Sequence, residues 1–373
     1  MRSPAVLLAG VGLVLTLAAC GSSSNSAPSF AAPLRVDAGM NLNYATIGDV
    51  NGDGKPDLAT ANGDDKTVDV LFNRGNGRFA EPRQLGTDWS PEWVAIGDLN
   101  ADGRADLVSA NGDGKDVSVL LNKGSGRFRR ERRYPAGDSP NSVAIGDLNG
   151  DDKPDLAVAD FFSNSISALL NRGDGSFRPK VGYPVGGQPG AVATSDLNRD
   201  GTLDLVAATG TRTGQVSVLL NSGDGTFQPS VDYPAGTGPL AVAVGDLNGD
   251  GKPDLATANP HSHVVSVFLN KGDGTFRAGH DYRVHGEPVA VAIGDLSGDG
   301  KPDLASADLE TNVSVLVNTG DGTFESPLTF RAGLAPGSIA IGDLNDDGKG
   351  DLAVAGVNEQ PAVVYVLLNA TGD

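Results

Sequence analysis

The stretch DVNGDGKPDL, residues 49–58, recurs in seven versions along the chain, and this repetition determines the fold class. The later copies begin at Asp98, Asp147, Asp196, Asp246, Asp295 and Asp343, so the spacing is 48 to 50 residues. A period this regular indicates a protein built from repeated structural units that pack against one another. We therefore interpret the chain as seven copies of one unit.

Each unit contains four strand-sized segments. In the fifth copy these are residues 240–245 (LAVAVG), 255–258, 265–269 (VSVFL) and an outer segment that follows Phe276. The segments are rich in Val, Leu and Ala and are bounded by Gly, Asp, Asn and Pro, as short antiparallel strands are. Four strands in about 50 residues are typical of one propeller blade. The sequence predicts an all-β, seven-bladed β-propeller with four-stranded antiparallel blades.

The two ends of the repeat region predict how the ring closes. The last copy stops soon after residues 363–369 (VVYVLLN) and lacks a fourth strand. Residues 30–36 (FAAPLRV) match the outer segment 276–282 (FRAGHDY) of the fifth copy. We expect this N-terminal strand to complete the seventh blade, because closure removes the free blade ends of an open array. The predicted propeller domain is 30–373.

The acidic motif also predicts metal binding. Side chains at its positions 1, 3, 5 and 9, together with the carbonyl of position 7, can surround one cation, and oxygen-only donors with three carboxylates suit Ca²⁺. Glycine at position 6 permits the sharp turn. An EF-hand is excluded because it needs Glu at position 12, where the first loop has Thr60, and because strands flank the loop. The seven predicted ligand sets are Asp49, Asn51, Asp53, Lys55 and Asp57; Asp98, Asn100, Asp102, Arg104 and Asp106; Asp147, Asn149, Asp151, Lys153 and Asp155; Asp196, Asn198, Asp200, Thr202 and Asp204; Asp246, Asn248, Asp250, Lys252 and Asp254; Asp295, Ser297, Asp299, Lys301 and Asp303; and Asp343, Asn345, Asp347, Lys349 and Asp351.

Up to seven structural Ca²⁺ ions are therefore expected. The alternative is that the loops are acidic turns that bind no metal. Two of the loops also depart from the ligand pattern. Ser297 is a weaker donor at position 3, and Asp152 stands where other loops have the turn glycine.

The loop, the period and the strand order resemble the FG-GAP/VCBS-type repeats of the integrin α-chain propeller and of many bacterial surface proteins. The likeness covers residues 30–373. The Phe-Gly and Gly-Ala-Pro sequences typical of these repeats are present only in altered forms, such as Gly225-Thr226-Phe227 and Tyr233-Pro234-Ala235-Gly236. The resemblance implies a calcium-bearing seven-bladed propeller used in adhesion or ligand recognition, without implying one ligand.

The N-terminus predicts export. Arg2 precedes an apolar run, residues 5–17, which is too short for a confident membrane span. The run ends in Leu17-Ala18-Ala19-Cys20, which resembles a bacterial lipobox; a plain secretory signal with a chance cysteine is the alternative. We expect a signal peptide at 1–19 and a lipidated Cys20 with a flexible tether at 20–29. The mature protein would be an exported lipoprotein of the outer membrane or cell surface, held to the membrane by its lipid alone.

The charge of the chain excludes one class of partner. It has 47 acidic and 28 basic residues, for a net charge of −19. Positions 1, 5 and 9 of the seven loops hold 21 of the acidic residues, so much of the acidity belongs to the predicted metal sites. A chain this acidic is a poor partner for nucleic acid phosphates.

The loops alternate between the two faces of the predicted disc. The acidic loops share one face with the repetitive turns, and the irregular loops share the other, which is the expected place for specificity. Tyr44 and Trp93 are expected on adjacent inner strands near the axis, where they either stack on a ligand or plug the channel. The histidines offer a second metal site or are solvated. The ligand-face candidates are Tyr44, Trp89, Trp93, Phe161, Phe162, Arg212, His261, His263 and His285.

The expected function is recognition of carbohydrate or protein at the cell envelope by a monomeric, non-catalytic propeller. A polysaccharide lyase or hydrolase is one alternative, with carboxylates drawn from Glu92, Glu310 or Glu359 or with the histidine cluster, but no GxSxG or HExxH motif is present. A purely structural envelope component is another.

Overall fold

The computed structural model describes residues 27–210, 213–357 and 359–372. Within them the chain forms 28 strands and one short 3-10 helix, Pro260–Ser262. The strands make seven four-stranded antiparallel sheets, which confirms the predicted all-β seven-bladed propeller. No helix in these residues is long and apolar enough to span a membrane. The predicted signal peptide, Cys20 and most of the tether lie outside the described residues.

Each blade runs from an innermost strand at the axis to an outermost strand at the rim. Strand β1 is Leu34–Asp37, and blade 1 contains β2 Leu42–Gly48, β3 Asp57–Asn62, β4 Thr67–Leu71 and β5 Arg83–Gly86. Blade 2 contains β6 Pro91–Gly97, β7 Asp106–Asn111, β8 Asp116–Leu120 and β9 Arg132–Pro135; blade 3 contains β10 Pro140–Gly146, β11 Asp155–Asp160, β12 Ser165–Leu169 and β13 Val181–Pro184. Blade 4 contains β14 Pro189–Ser195, β15 Asp204–Thr209, β16 Gln215–Leu219 and β17 Val231–Pro234; blade 5 contains β18 Ala241–Gly245, β19 Asp254–Asn259, β20 Val264–Phe268 and β21 His280–Arg283. Blade 6 contains β22 Pro288–Gly294, β23 Asp303–Asp308, β24 Asn312–Leu316 and β25 Leu328–Arg331; blade 7 contains β26 Pro336–Gly342, β27 Asp351–Gly356 and β28 Val363–Leu367.

Burial follows from this radial order. The second strand of each blade, such as β3, is buried along its whole length, because each of its faces packs against a neighbouring blade. The hydrophobic core therefore lies between blades, where it joins side chains such as Val68, Val94 and Val119. The outermost strands have only four residues and are largely exposed, and short polar edges of this kind resist pairing with other chains.

The N-terminal strand closes the ring, as predicted. Strand β1 pairs with β28 from Leu34↔Val366 to Asp37↔Val363 and supplies the fourth strand of blade 7. Ahead of it, Phe30 bridges to Asn369 in the way that Phe276 bridges to Asn270 in blade 5. The first and last strands of the propeller thus share one sheet, and no covalent bond is needed for closure.

A small residue before each acidic loop, glycine in six blades and Ser195 in the fourth, permits close contact between blades. A Cβ atom on Gly48 would lie 2.9 Å from the Cδ1 atom of Ile96 in the next blade. The same contact occurs between blades 7 and 1, at the seam where the ring closes. There a Cβ atom on Gly342 would lie 3.1 Å from the Cγ2 atom of Ile47. Small residues are required here because the innermost strands converge on the axis.

A buried asparagine at the end of each third strand joins neighbouring blades. The side-chain amide of Asn221 donates to the carbonyl oxygen of Leu203 in its own blade, at 2.7 Å, and of Leu148 in the preceding blade, at 2.8 Å. Across the seam, the Asn73 amide reaches the carbonyl oxygen of Leu344 at 3.0 Å. The seven residues in this position are Asn73, Asn122, Asn171, Asn221, Asn270, Asn318 and Asn369.

Replacing Asn221 by alanine should lower the free energy of unfolding by about 1–3 kcal/mol, because two buried carbonyl oxygens lose their donor. Asn221→Asp should be more damaging, since a carboxylate would face those same oxygens. Urea unfolding followed by circular dichroism measures both. Gln228→Ala, on an exposed loop residue of the same blade, is the control; equal stability of the Asn221→Ala and Gln228→Ala variants would contradict the interpretation.

Candidate metal loops and the opposite face

Each acidic loop is wound around its first carboxylate. In the first loop, Asp49 accepts hydrogen bonds from the backbone N–H groups of Gly52, at 2.7 Å, and Gly54, at 2.8 Å. Gly54 has a φ of 84°, a left-handed conformation that favours glycine. The last loop repeats the pattern, with Asp343 accepting from Asp346 and Gly348. The sequence thus forms a tight oxygen-lined turn from its own backbone and side chains.

The aspartate at position 9 is buried and anchors the loop. In the fifth loop, one oxygen of Asp254 accepts the backbone N–H of Leu247 at 3.0 Å, and the other accepts that of Asn270 at 2.7 Å. The equivalent bonds are present in all seven blades. The sequence predicted this residue only as a metal ligand, and the structure adds a second role, fastening the loop to the third strand.

The same burial changes the ionisation of these seven carboxyls. Burial raises the pKa of each to about 6, the two backbone N–H donors partly oppose this, and neighbouring loop carboxylates raise it further. Crowded carboxylates of this kind favour a bound cation, which removes their repulsion. The donor set, with oxygen atoms only, suits a hard cation such as Ca²⁺.

The sixth loop gives a separate indication that the donors fit a cation. Ser297 holds position 3, and its backbone N–H donates to Asp303 at 2.9 Å. Its hydroxyl oxygen is buried and has no hydrogen-bond partner. An unpaired buried polar atom costs free energy, and coordination of a cation at this predicted ligand position would satisfy it.

In most of the loops the side chain at position 7 pairs with the carboxylate at position 5. Lys252 Nζ lies 2.9 Å from Asp250 Oδ2, and Lys301 Nζ lies 3.0 Å from Asp299 Oδ2. In the fourth loop, where Thr202 takes the place of lysine, its hydroxyl donates to Asp200 at 2.6 Å. The prediction used only the backbone carbonyl of this residue. The side chain therefore screens part of the loop charge, a role that spacing alone did not reveal.

Tyr44 and Trp93 lie inside the ring, on the adjacent innermost strands β2 and β6. Their rings are stacked, with centroids 4.0 Å apart and planes inclined by 9°, and both side chains are buried. They line an axial cavity of about 550 Å³, whose other end reaches Asp246 and Lys252 in the fifth acidic loop. The rings thus contact each other within the channel and are not displayed on the outer surface.

Trp89 and Phe162 are exposed on the face opposite the acidic loops. The Trp89 side chain is 39% exposed, and the charged groups of Lys66 and Arg133 each lie 5.7 Å from its ring centroid. Phe162 is 63% exposed and rests edge-on against Phe161, which is buried. Phe161 therefore supports its neighbour and offers little surface of its own.

The candidate histidines share this face but have separate partners. His263 Nδ1 lies 2.7 Å from the carbonyl oxygen of Gly286, and His285 Nδ1 lies 3.0 Å from Asp308 Oδ2. His261 belongs to the 3-10 helix in the loop between β19 and β20. Arg212 lies outside the described residues.

The three glutamates considered for catalysis lie in different blades. Glu92 accepts the amide of Asn43 at 3.1 Å, and burial raises its pKa to about 7, helped by nearby aspartates. Glu359 is buried in blade 7, where Arg35 of the closing strand pairs with it at 2.9 Å. Glu310 lies in the hairpin of blade 6. The fold does not bring these carboxylates together as a pair.

Two further exposed apolar residues lie on the same face as Trp89 and Phe162. Both lie in crossings, the loops that lead from the outermost strand of one blade to the innermost strand of the next. Met40 is in the crossing from blade 7 to blade 1, and Leu334 is in the crossing from blade 6 to blade 7. The crossings pass over the following blade, so these four side chains sit on the consecutive blades 7, 1, 2 and 3. We call them the apolar arc. The sequence did not indicate Met40 or Leu334, because one apolar residue in a polar loop forms no pattern.

The pKa shifts of the seven buried loop aspartates predict how stability depends on pH in metal-free protein. Their pKa is about 6 when folded and about 3.8 when unfolded, so the folded state takes up protons first. Stability should increase as the pH falls from 7.5 towards 4.5 and decrease as the pH rises through 6. Thermal unfolding of chelator-treated protein measures this, and Asp254→Asn should reduce the slope. A melting temperature that falls steadily on acidification over this range would contradict the prediction.

Comparisons with known proteins agree with the fold. No curated protein matches the chain significantly. Two crystal structures of BBS1N in complex with ARL6DN, one soaked with lead and one with mercury, are similar in fold, at 14% sequence identity and TM-scores of 0.62 and 0.65. The matches cover 92% and 94% of this chain and 97% and 99% of the solved chains. The family model described as FG-GAP-like repeat matches residues 49–109, 98–158, 147–207, 196–257, 246–306 and 295–354. The chain therefore belongs to the FG-GAP-like repeat family.

Proposed function

We propose that this propeller is a non-catalytic recognition module of the cell envelope that binds a protein partner through the apolar arc. The observation that carries the proposal is the position of Met40, Trp89, Phe162 and Leu334 on four consecutive blades, all on the face opposite the acidic loops. Exposed apolar side chains grouped on one face, with polar surroundings, are typical of protein interaction sites. The other exposed large apolar residues of the described chain are Leu34, Val181 and Val231, which lie on outermost strands at the rim.

A protein partner fits this surface better than a carbohydrate does. A sugar ring stacks on a free aromatic face, whereas Lys66 and Arg133 both approach the ring of Trp89. Tyr44 and Trp93, the other aromatic candidates for sugar stacking, are buried against each other. Tryptophan and arginine together are typical of the residues that dominate protein interfaces.

The structural neighbours support a docking role of this kind. BBS1N is a propeller of the same fold that was crystallised in complex with another protein, ARL6DN. That complex concerns BBS1N, and it is an example of a chain of this fold in complex with a protein.

The proposal gives the acidic loops a supporting role. Up to seven Ca²⁺ ions would neutralise the crowded carboxylates and hold the loop face rigid. The lipobox-like Leu17–Cys20 would attach the protein to the membrane by a lipid, and the tether up to residue 29 would leave the propeller free to present its opposite face.

Substitution of the apolar arc should remove partner binding without unfolding the protein. A photo-crosslinking amino acid placed at Phe162 in cells should capture a protein, and Trp89→Ser with Met40→Ser should reduce that adduct at least about tenfold, because central aromatic anchors carry most interface energy. A crosslinker at Val231, which is 54% exposed on the rim, is the matched control. Equal labelling from both positions, or binding to a glycan array alone, would contradict protein recognition by this face.

Calcium binding can be tested loop by loop. Asp246→Asn should lower the Ca²⁺ content of the protein by one equivalent and reduce the calcium-induced rise in melting temperature. Asp273→Asn is the control, because Asp273 lies in the exposed turn after β20 and outside the predicted ligand set. Elemental analysis of dialysed protein and a thermal melt give the two readouts. An unchanged Ca²⁺ content in Asp246→Asn would contradict the assignment.

A further inference from the structure

Blade 1 contains a group of buried oxygen atoms that have no hydrogen-bond partner. They are Thr60 Oγ1, Asn62 Oδ1 and both carboxylate oxygens of Asp69. Only six such side-chain atoms occur in the described residues, and four of them are in this group. All three side chains are fully buried. Unpaired buried polar groups are rare in folded proteins, and a concentration of them needs an explanation.

The backbone places these side chains on one face of one strand pair. Thr60 on β3 lies directly opposite Asp69 on β4, and Asn62 follows Thr60 by two residues and so points to the same side. Directly opposed residues in an antiparallel pair have Cβ atoms about 5 Å apart. The crossing from blade 7 covers them, because a Cβ atom on Gly39 would lie 3.0 Å from Asp69 Oδ2 and from the Asn62 amide nitrogen.

The other blades show that this arrangement is an exception. Five of them have serine where blade 1 has Asp69: Ser118, Ser167, Ser217, Ser266 and Ser314. These hydroxyls find partners, as when Ser217 donates to Asp232 at 2.6 Å. Another buried aspartate, Asp160, accepts the backbone N–H of Gly137 at 2.8 Å and the hydroxyl of Ser167.

No basic side chain compensates the charge of Asp69 within the described residues. In blade 2 the buried carboxylate of Asp116 pairs with Arg133 at 2.5 Å. In blade 1 the residue equivalent to Arg133 is Gln84, which is neutral and lies opposite Asp69 on the neighbouring strand. Lys66, the nearest lysine along the chain, lies instead over the ring of Trp89.

The electrostatic surroundings increase the need for positive charge. Burial raises the pKa of Asp69 to about 6 and the carboxylate of Asp65 raises it further, while the polar side chains of Thr67, Gln84 and Asn62 partly oppose this from nearby, without reaching hydrogen-bond geometry. At neutral pH the group is therefore largely ionised. A buried carboxylate without a partner costs several kcal/mol.

We propose that Asp69, Asn62 and Thr60 hold a hard metal cation, Ca²⁺ or Na⁺, beneath the crossing from blade 7 to blade 1. A carboxylate, an amide oxygen and a hydroxyl are oxygen donors that such ions prefer. A buried water molecule would occupy the space but would leave the charge of Asp69 uncompensated. The site is separate from the seven acidic loops, because it lies at the far end of β3 from the first loop, towards the opposite face of the disc.

The position of the site connects it with ring closure. The covering residues follow directly after the closing strand β1. Two backbone hydrogen bonds hold them to blade 7: the N–H of Ala38 donates to the carbonyl oxygen of Ala362, and the N–H of Ala362 donates to that of Gly39. A cation below Gly39 would draw this crossing onto blade 1. Occupancy of the site should therefore stabilise the seam where the two ends of the propeller meet.

Anomalous diffraction distinguishes the possible occupants. Crystals of the full chain grown with CaCl₂, and others soaked with thallium acetate as a substitute for monovalent ions, should show a peak about 2.3–3.0 Å from the Asp69 carboxylate in one of the two cases. Asp69→Ser, which restores the residue of five other blades, should lose this peak and keep those of the acidic loops. Water-like density without an anomalous signal, or no density, in both crystals would overturn the proposal.

A solution experiment gives an independent readout. The melting temperature of wild-type protein should rise with added NaCl or CaCl₂ over choline chloride, and Asp69→Asn should lose at least about 2 °C of that rise. In metal-free buffer Asp69→Asn should be the more stable protein, since no buried charge remains. Asp160→Asn is the control, because its carboxylate already has donors. An identical cation response in wild type and both Asp69 variants would contradict cation binding here.

Discussion

The structure depends on the hydrogen bonds between a buried aspartate at the end of each acidic loop and the asparagine that ends the third strand. Asp254 accepts the backbone N–H of Asn270, and the side chain of Asn270 donates to Leu197 in the preceding blade. One pair of residues thus joins a loop, a strand and a neighbouring blade. Because the pair recurs seven times, every interface between blades is fixed on the loop face, and the loop cannot change without disturbing the ring.

This constraint explains how the two faces differ. The loop face carries the same hydrogen bonds in every blade, so its residues have little freedom to vary. The opposite face is built from crossings and short hairpins that each blade fills differently, with Trp89 in one and Phe162 in another. Specificity for a partner can develop on that face at little cost to the fold.

The sequence predicted the repeated strands and loops, but it did not predict all of the contacts that the repeated residues make or the meaning of residues that occur in one blade only. The period, the strand pattern and the match between residues 30–36 and 276–282 predicted the blade number and the closing strand, because each depends on comparing copies within the chain. The double role of Asp254 and the pairing of Lys252 with Asp250 were missed, since the motif looks the same whichever way its side chains point. Met40 and Asp69 are single departures, and their meaning comes from neighbours that only the fold brings together.

The unusual buried residues of blade 1, such as Asp69, matter because they lie next to the sheet that closes the ring. A propeller closed by a strand has one sheet in which the two chain ends are held together only by noncovalent bonds, here the ladder between β1 and β28. Opening the ring at this sheet would expose the hydrogen-bonding edge of β28 and release Arg35 from Glu359. The crossing that follows β1 is then the only link between that sheet and blade 1 along the chain. A buried charge beneath this crossing is destabilising when it is bare and stabilising when it is compensated, so Asp69 makes the strength of the seam depend on an ion.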